Sequence, residues 1–356
     1  MVAICHDYLT QRGGAERVVT SLQKAFPDAP LYTSLYDAER TFPEFRASEV
    51  RTLPIDRVPL LRRHHRLALP FLARSFSRLD IDADVAICSS SGWAHGAHVR
   101  GRKIVYCHTP ARWLYQSDRY LGSSAPHGAR AALSVQRRFL LDWDRTAAAS
   151  AARYIANSTV VRDRIRDAYS IDADVIPPPY TLDPHGPRRA VAGLDAGFTM
   201  TVARLLPYKN VDAVIAAFAE LPGERLVVVG GGPDDERLRR AAPANVAFVG
   251  VVDDEALRWL YANCRGLVAA SYEDFGLTPV EAAAFGRPSA VLRYGGYLDT
   301  VVDETGVFFE RPVPHEIRDA VVRMHTTSWS DNAIRVHAAS FSEPRFIERM
   351  REVAAA

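Results

Sequence analysis

Short apolar runs recur along the whole chain, and longer stretches with helical periodicity separate them. In the first half the runs are VAICH (2–6), LYTSLY (31–36), VAICSS (85–90), KIVYCH (103–108) and RYIANS (153–158). In the second half they are FTMTVA (198–203), RLVVVG (225–230), VAFVG (246–250), GLVAAS (266–271) and SAVLR (289–293). Helical stretches fall between them, among others at 15–25, 129–152, 211–221, 253–264 and 279–285. Runs of Val, Ile and Ala without polar alternation belong to strands buried on both faces, which predicts parallel sheets covered by helices. Right-handed crossovers then give α/β doubly wound, Rossmann-like units.

The alternation breaks once, at PPPYTLDPHGPRRAVAGLDAG (177–197). So much proline and glycine cannot hold a helix or a central strand, so this stretch reads as a linker. It divides 356 residues into similar halves, a comfortable length for two domains. The expected organisation is a Rossmann-like domain over 1–179, a second over 180–340, and a C-terminal helix over 341–356 packing back toward the first. Two such domains facing each other leave a cleft, fed by loops at the carboxyl ends of their strands.

Composition adds little. The chain is 48% hydrophobic and 24% charged with a net charge of +2, so bulk charge names no partner and no nucleic acid is expected. The N-terminal MVAICH already reads as a strand and lacks the pattern of a signal peptide. No apolar run approaches the roughly 20 residues of a membrane span. Cys5, Cys88, Cys107 and Cys264 are scattered without metal spacing, and read as reduced core residues of a cytoplasmic protein.

Several loops carry candidate chemistry, each with a plain alternative. Gly13-Gly14 precede a helix, where backbone N–H groups can meet a phosphate or the pair can simply give a flexible turn. Arg204 and Lys209 flank the loop after FTMTVA; two cations there suit a diphosphate, as fork and point charge, or are solvated loop residues. Gly230-Gly231-Gly232-Pro233 allows close backbone approach to a ligand or a tight turn, and is not a dinucleotide fingerprint. In SYEDFGLTPVEAAAFGRP, Glu273 and Glu281 can accept from sugar hydroxyls. Alternatively Thr278-Pro279-Val280-Glu281 is a capping box that starts a helix at Thr278 and uses Glu281 only as a cap. His108 lies just past a strand end, facing the cleft or buried and hydrogen-bonded. Asp82-Ala83-Asp84 and Asp172-Ala173-Asp174 each precede an apolar strand and read as turn residues, so no metal site is expected.

Together these segments resemble glycosyltransferase family 4, over nearly the whole chain. The resemblance rests on Gly13-Gly14, His108 in YCHTPARW, the NST tripeptide at Asn157, Arg204 and Lys209 in ARLLPYK, the 230–233 glycines, and EDFGLTPVE. It is closest to the bacterial branch that takes GDP-mannose. It implies a GT-B fold and retaining, metal-independent transfer from a nucleotide-sugar donor to a glycan, glycolipid or small-molecule acceptor, with no cofactor. By position it implies that Arg204 and Lys209 hold the diphosphate, helped by Gly13-Gly14 and Gly231. Glu281 would accept from the ribose, Glu273 and the Phe275-Gly276-Leu277 backbone would hold the sugar, and the Leu277-Thr278 amides would add phosphate contacts. His108 would stand beside the reacting centre. The chain departs from the pattern at Tyr115-Gln116, where Trp-Asp is usual, and at Gly295-Gly296-Tyr297-Leu298-Asp299, where the acid is shorter. The alternatives are a UDP-sugar donor, a sugar-nucleotide epimerase, and a non-catalytic binder.

One segment stands outside that pattern. Between Arg57 and Leu79 there is no acid, while Arg57, Arg62, Arg63, Arg66, Arg74 and Arg78 interleave with Leu, Phe and Pro. Such a segment predicts peripheral contact with an anionic membrane, at the inner face of the cell membrane, or else a solvated helical face.

Overall fold

The computed structural model describes residues 1–115 and 127–356, with backbone alone at Arg66, Trp113 and 127–136; Gln116 lies outside the described residues. The chain forms two compact units, Met1–Pro178 with Glu343–Ala356, and Pro179–Ser342.

The first unit contains β1 (Val2–His6), β2 (Leu31–Thr33), β3 (Val50–Thr52), β4 (Asp80–Ile81), β5 (Val85–Ser90), β6 (His98–Val99), β7 (Arg102–Cys107), β8 (Arg153–Ala156) and β9 (Asp174–Val175). Seven of them make one parallel sheet in the order β3-β2-β1-β5-β7-β8-β9, while β4 and β6 pair separately. Register follows the apolar runs, with Ile4 opposite Leu31 and Val2 opposite Val85. LYTSLY is a strand only to Thr33, because the Ser34 amide and hydroxyl both donate to the Asp7 carbonyl and turn the chain. The first aspartate triplet leads into β5 and the second into β9, whose first residue is Asp174; Asp82 pairs with Arg100, Asp172 with Arg166, and Asp174 with Arg153.

The second unit contains β10 (Phe198–Val202), β11 (Leu226–Val229), β12 (Val246–Gly250), β13 (Cys264–Ala269), β14 (Ser289–Leu292) and β15 (Gly306–Phe309). Their order is β12-β11-β10-β13-β14-β15, again all parallel. Both sheets therefore reverse strand order at their first strand, between β1 and β5 and between β10 and β13. Phe198, Met200, Phe218, Leu267 and Val291 are buried in the second core. Each large apolar side chain buried there contributes about 1.5–3 kcal/mol.

The chain enters and leaves the second unit at one place, where the Tyr180 amide donates to the Phe341 carbonyl at 3.2 Å. The helix Glu343–Ala355 then packs on the helix Gly14–Ala25 of the first unit. Ser21 and Lys24 donate to the Glu343 carboxylate, each at 2.7 Å, and Phe346, Met350 and Val353 join the first core. Met350→Ala is expected to lower unfolding free energy by about 2–5 kcal/mol in a urea titration. Val336→Ala, on an exposed helical face, is expected to stay within about 0.5 kcal/mol of the parent.

Candidate functional site

After β10 the chain makes an irregular loop before the helix Val211–Ala219. Leu205 donates to the Gly231 carbonyl at 3.0 Å, and residues Pro207–Lys209 form a single tight turn. Asn210 then adopts a left-handed conformation (φ 53°), and its side-chain Nδ2 donates to the Ala270 carbonyl at 2.8 Å. That bond ties the loop after β10 to the end of its neighbour β13, across the point where strand order reverses. In open α/β sheets this is where ligands bind.

Two opposite charges meet there. The Lys209 ammonium pairs with the Glu273 carboxylate, which also accepts from the Ser271 hydroxyl at 2.9 Å. Burial alone would raise the Glu273 carboxyl; the charge and hydrogen bond of Lys209, with the Ser271 bond, outweigh it and hold the carboxyl below its usual range. The Ser271 proton is committed to the carboxylate, so the Tyr297 hydroxyl donates to Ser271, at 2.9 Å. Arg204, in the same loop as Lys209, is exposed and has no ion pair among the described residues.

The glycines around this pair have steric reasons. A Cβ on Gly230 (φ 122°) would lie 2.0 Å from the Ala203 carbonyl oxygen, and one on Gly232 would lie 2.4 Å from that of Leu205. Gly231 between them meets only the Val251 side chain, at 3.2 Å. Gly276 (φ 87°) lies against the Tyr297 ring, and a Cβ on Gly296 would lie 2.2 Å from the Phe275 Cα. The segment 295–299 thus packs onto the loop that carries Glu273.

Gly276 is the N-cap of the helix Leu277–Ala284, with no side-chain cap. This corrects the capping-box reading: the helix starts at Leu277 instead of Thr278, and Glu281 does not cap it. Instead Glu281 accepts from the Tyr261 hydroxyl at 2.7 Å, and the buried Tyr261 ring stacks on Phe285. The Leu277 and Thr278 amides, in the first turn, have no acceptor within the helix. Phe275 is buried with Val280 and Phe341, which leaves its backbone as the part that can face a ligand.

The remaining expected residues belong to the first unit. Gly13 is the extended N-cap of the helix Gly14–Ala25, whose first turn carries the buried Glu16. His108 is buried, its Nε2 2.8 Å from the Ser89 hydroxyl. Burial, and then the neighbouring His6, pull its pKa down to about 3. The ring is thus buried and hydrogen-bonded, with its pKa held well below the usual imidazole range. Asn157 donates to the His108 carbonyl at 3.0 Å and fixes the backbone there.

Reasoning from residue patterns missed Asp7, Asn210, Ser271 and Tyr297. Asp7 is buried at the first sheet's reversal point and accepts from the Ser91 and Ala94 amides, each at 2.7 Å. A polar residue directly after an apolar strand was the available signal for Asp7 and Ser271. Nothing local marks Tyr297.

Residues 12–184 match the model for Glycosyltransferase Family 4, and residues 189–335 match the model for Glycosyl transferases group 1. The chain is 32% identical to O-antigen chain mannosyltransferase C of Escherichia coli over 170 residues, which is 43% of each protein. It is 28% identical to D-inositol 3-phosphate glycosyltransferase of Mycobacteroides abscessus over 267 residues, 65% of this chain and 60% of that protein. The chain thus spans about half the length of these relatives. The crystal structure of Anabaena Alr3699/HepE in complex with UDP matches with a TM-score of 0.73 over 100% of both chains, at 17% identity. Sucrose-phosphate synthase from Thermosynechococcus elongatus gives a TM-score of 0.70 over 99% of this chain and 98% of that one, at 18% identity. At such identities the likeness concerns fold alone, and the fold is GT-B, with two Rossmann-like domains.

The depressed pKa of His108 has a sign that can be measured. Its folded value, about 3, lies below the unfolded one near 6.5, so its contribution is complete above pH 6.5 and is lost as pH falls toward 3. Between pH 7 and 5 this one group is expected to remove about 2 kcal/mol of unfolding free energy. Urea titrations of His108→Gln should show a correspondingly shallower loss over that interval.

Proposed function

Because the chain belongs to glycosyltransferase family 4, we propose that it is a retaining, metal-independent glycosyltransferase moving mannose from GDP-mannose to a hydroxyl of a glycan, glycolipid or small-molecule acceptor. The observation that supports this most is the Lys209–Glu273 pair at the reversal point of the second sheet, with the exposed cation Arg204 in the same loop.

In this reading Arg204 and Lys209 hold the donor diphosphate, supported by the backbone N–H group at Gly231 and by the Leu277 and Thr278 amides. Glu281 accepts from the ribose. Glu273 and the backbone of 275–277 hold the sugar. The bond from the sugar's anomeric carbon to the diphosphate oxygen breaks as the acceptor oxygen bonds to that carbon from the same face. The acceptor's proton passes to the departing diphosphate, so no side-chain base is required. Arg204 and Lys209 stabilise the charge that develops on the leaving group, the role a metal ion would otherwise fill. Mannose is supported by the E. coli relative, a mannosyltransferase by name, and guanine by the resemblance of the YCHTPARW and RLLPYK segments to the branch that takes GDP-mannose.

Contact with an anionic membrane is part of the same proposal. Val58, Leu60, Leu67 and Phe71 are 45 to 57% exposed. Phe71 and Arg74 are exposed on the helix Leu69–Phe76, with Leu67 exposed in the turn before it and Arg78 exposed just after it, while Leu72 and Phe76 are buried. Apolar groups flanked by arginines suit the boundary between lipid headgroups and acyl chains. No helix among the described residues is long and apolar enough to cross a membrane.

Calorimetric titration without divalent metal is expected to show GDP binding in preference to UDP; preference for UDP would discard the mannose donor. Lys209→Ala should lower turnover at least about tenfold, the loss of one charge-assisted bond to the leaving group, with the circular dichroism spectrum unchanged. In co-sedimentation, vesicles containing anionic lipid should retain the protein at low salt and neutral vesicles should not. Leu67→Ser with Phe71→Ser should abolish that retention.

A further inference from the structure

We propose that Glu273, through its ion pair with Lys209, makes the donor site discriminate a sugar-bearing nucleotide from the bare nucleoside diphosphate. The inference rests on the donor-site reading given above.

Lys209 is not a free cation waiting for phosphate. Its side chain is 14% exposed, and its ammonium is already neutralised by Glu273, itself 22% exposed. The carboxylate is held in place from behind: Ser271 donates to it, and the buried Tyr297 donates to Ser271. The Tyr297 ring is wedged against Gly276, and the Gly296 amide donates to the Glu273 carbonyl at 3.1 Å. The loop that presents Lys209 is fixed through Asn210 to the Ala270 carbonyl. Both partners therefore meet the ligand from set positions.

A diphosphate that draws on Lys209 must take it from Glu273. The carboxylate is then left largely desolvated, with one hydroxyl donor and no cation, beside a new negative charge. Leaving such a group short of partners is costly. A sugar attached to the diphosphate brings hydroxyl donors to Glu273 and makes good the loss. A bare diphosphate brings none. The exchange is complete only for the intact donor, and after transfer the ion pair re-forms as the diphosphate departs. Arg204, exposed and without an ion pair among the described residues, can contact phosphate in either case.

The test is titration of GDP, GDP-mannose, UDP and UDP-glucose into the parent protein, Glu273→Gln, Lys209→Met and the double variant. Glu273→Gln is expected to bind the bare diphosphate about tenfold tighter than the parent, the scale of one charge-assisted bond. Its affinity for the sugar nucleotide should fall to that of the diphosphate. In the Lys209→Met background the gain should disappear. Should Glu273→Gln not fold, Glu273→Asp, which draws the carboxylate back by one methylene, should show the same direction of change. Unchanged or weaker diphosphate binding by the Glu273 variant would overturn the inference and leave the donor site standing. A gain that survives intact in the Lys209→Met background would also overturn it, since that is general charge repulsion. Failure of every nucleotide to bind the parent protein would remove the donor-site reading itself and this inference with it.

Discussion

The reversal of strand order beside β10 is the constraint from which the second unit's chemistry follows. The chain leaves β10 for β11 on one side, and β13 lies on the other, so the loops that follow Val202 and Ala269 part from one another. Side chains close the gap: the Asn210 amide reaches Ala270, and Lys209 reaches Glu273. Backbone hydrogen bonds of the sheet fix where the two loops begin. The side-chain links fix how far apart they end.

The first unit reverses strand order at its own first strand in the same way and fills the equivalent gap differently. Asp7 follows β1 and accepts from the hydroxyl of Ser90 at the end of β5 and from two amides just beyond it. It is satisfied by fixed backbone donors and buried, so it acts as a structural tie. Lys209 and Glu273 are partly exposed and hold each other by an ion pair. One arrangement of strands thus supports a buried closure in one unit and a partly exposed one in the other.

Close packing of backbone on backbone completes the second site. Gly230 and Gly232 lie where any side chain would strike the loop that carries Arg204, and Gly296 lies against the backbone at Phe275. These glycines let three loops stack at main-chain distance around the charged pair. Tyr297 enters the space that Gly276 leaves open and reaches Ser271. The order of the site comes from shape as much as from charge.

Residue order alone determined the strands of both sheets whose runs are continuously apolar, because burial on both faces leaves that pattern and no other. It also placed Arg204, Lys209 and Glu273 at strand ends, since position after an apolar run is a local property. The strands Val50–Thr52 and Gly306–Phe309 escaped it; the first is polar, and the second is a short run at an edge. The start of the helix at Leu277 was misjudged, because TPVE has the form of a capping box while the left-handed Gly276 provides the actual entry. Only the tertiary structure decided that Lys209 and Glu273, 64 residues apart, neutralise each other, that Tyr297 stands behind them, and that the His108 ring is buried and neutral. Those facts depend on which strands are neighbours and on what water is excluded, and neither is written in the local pattern of residues.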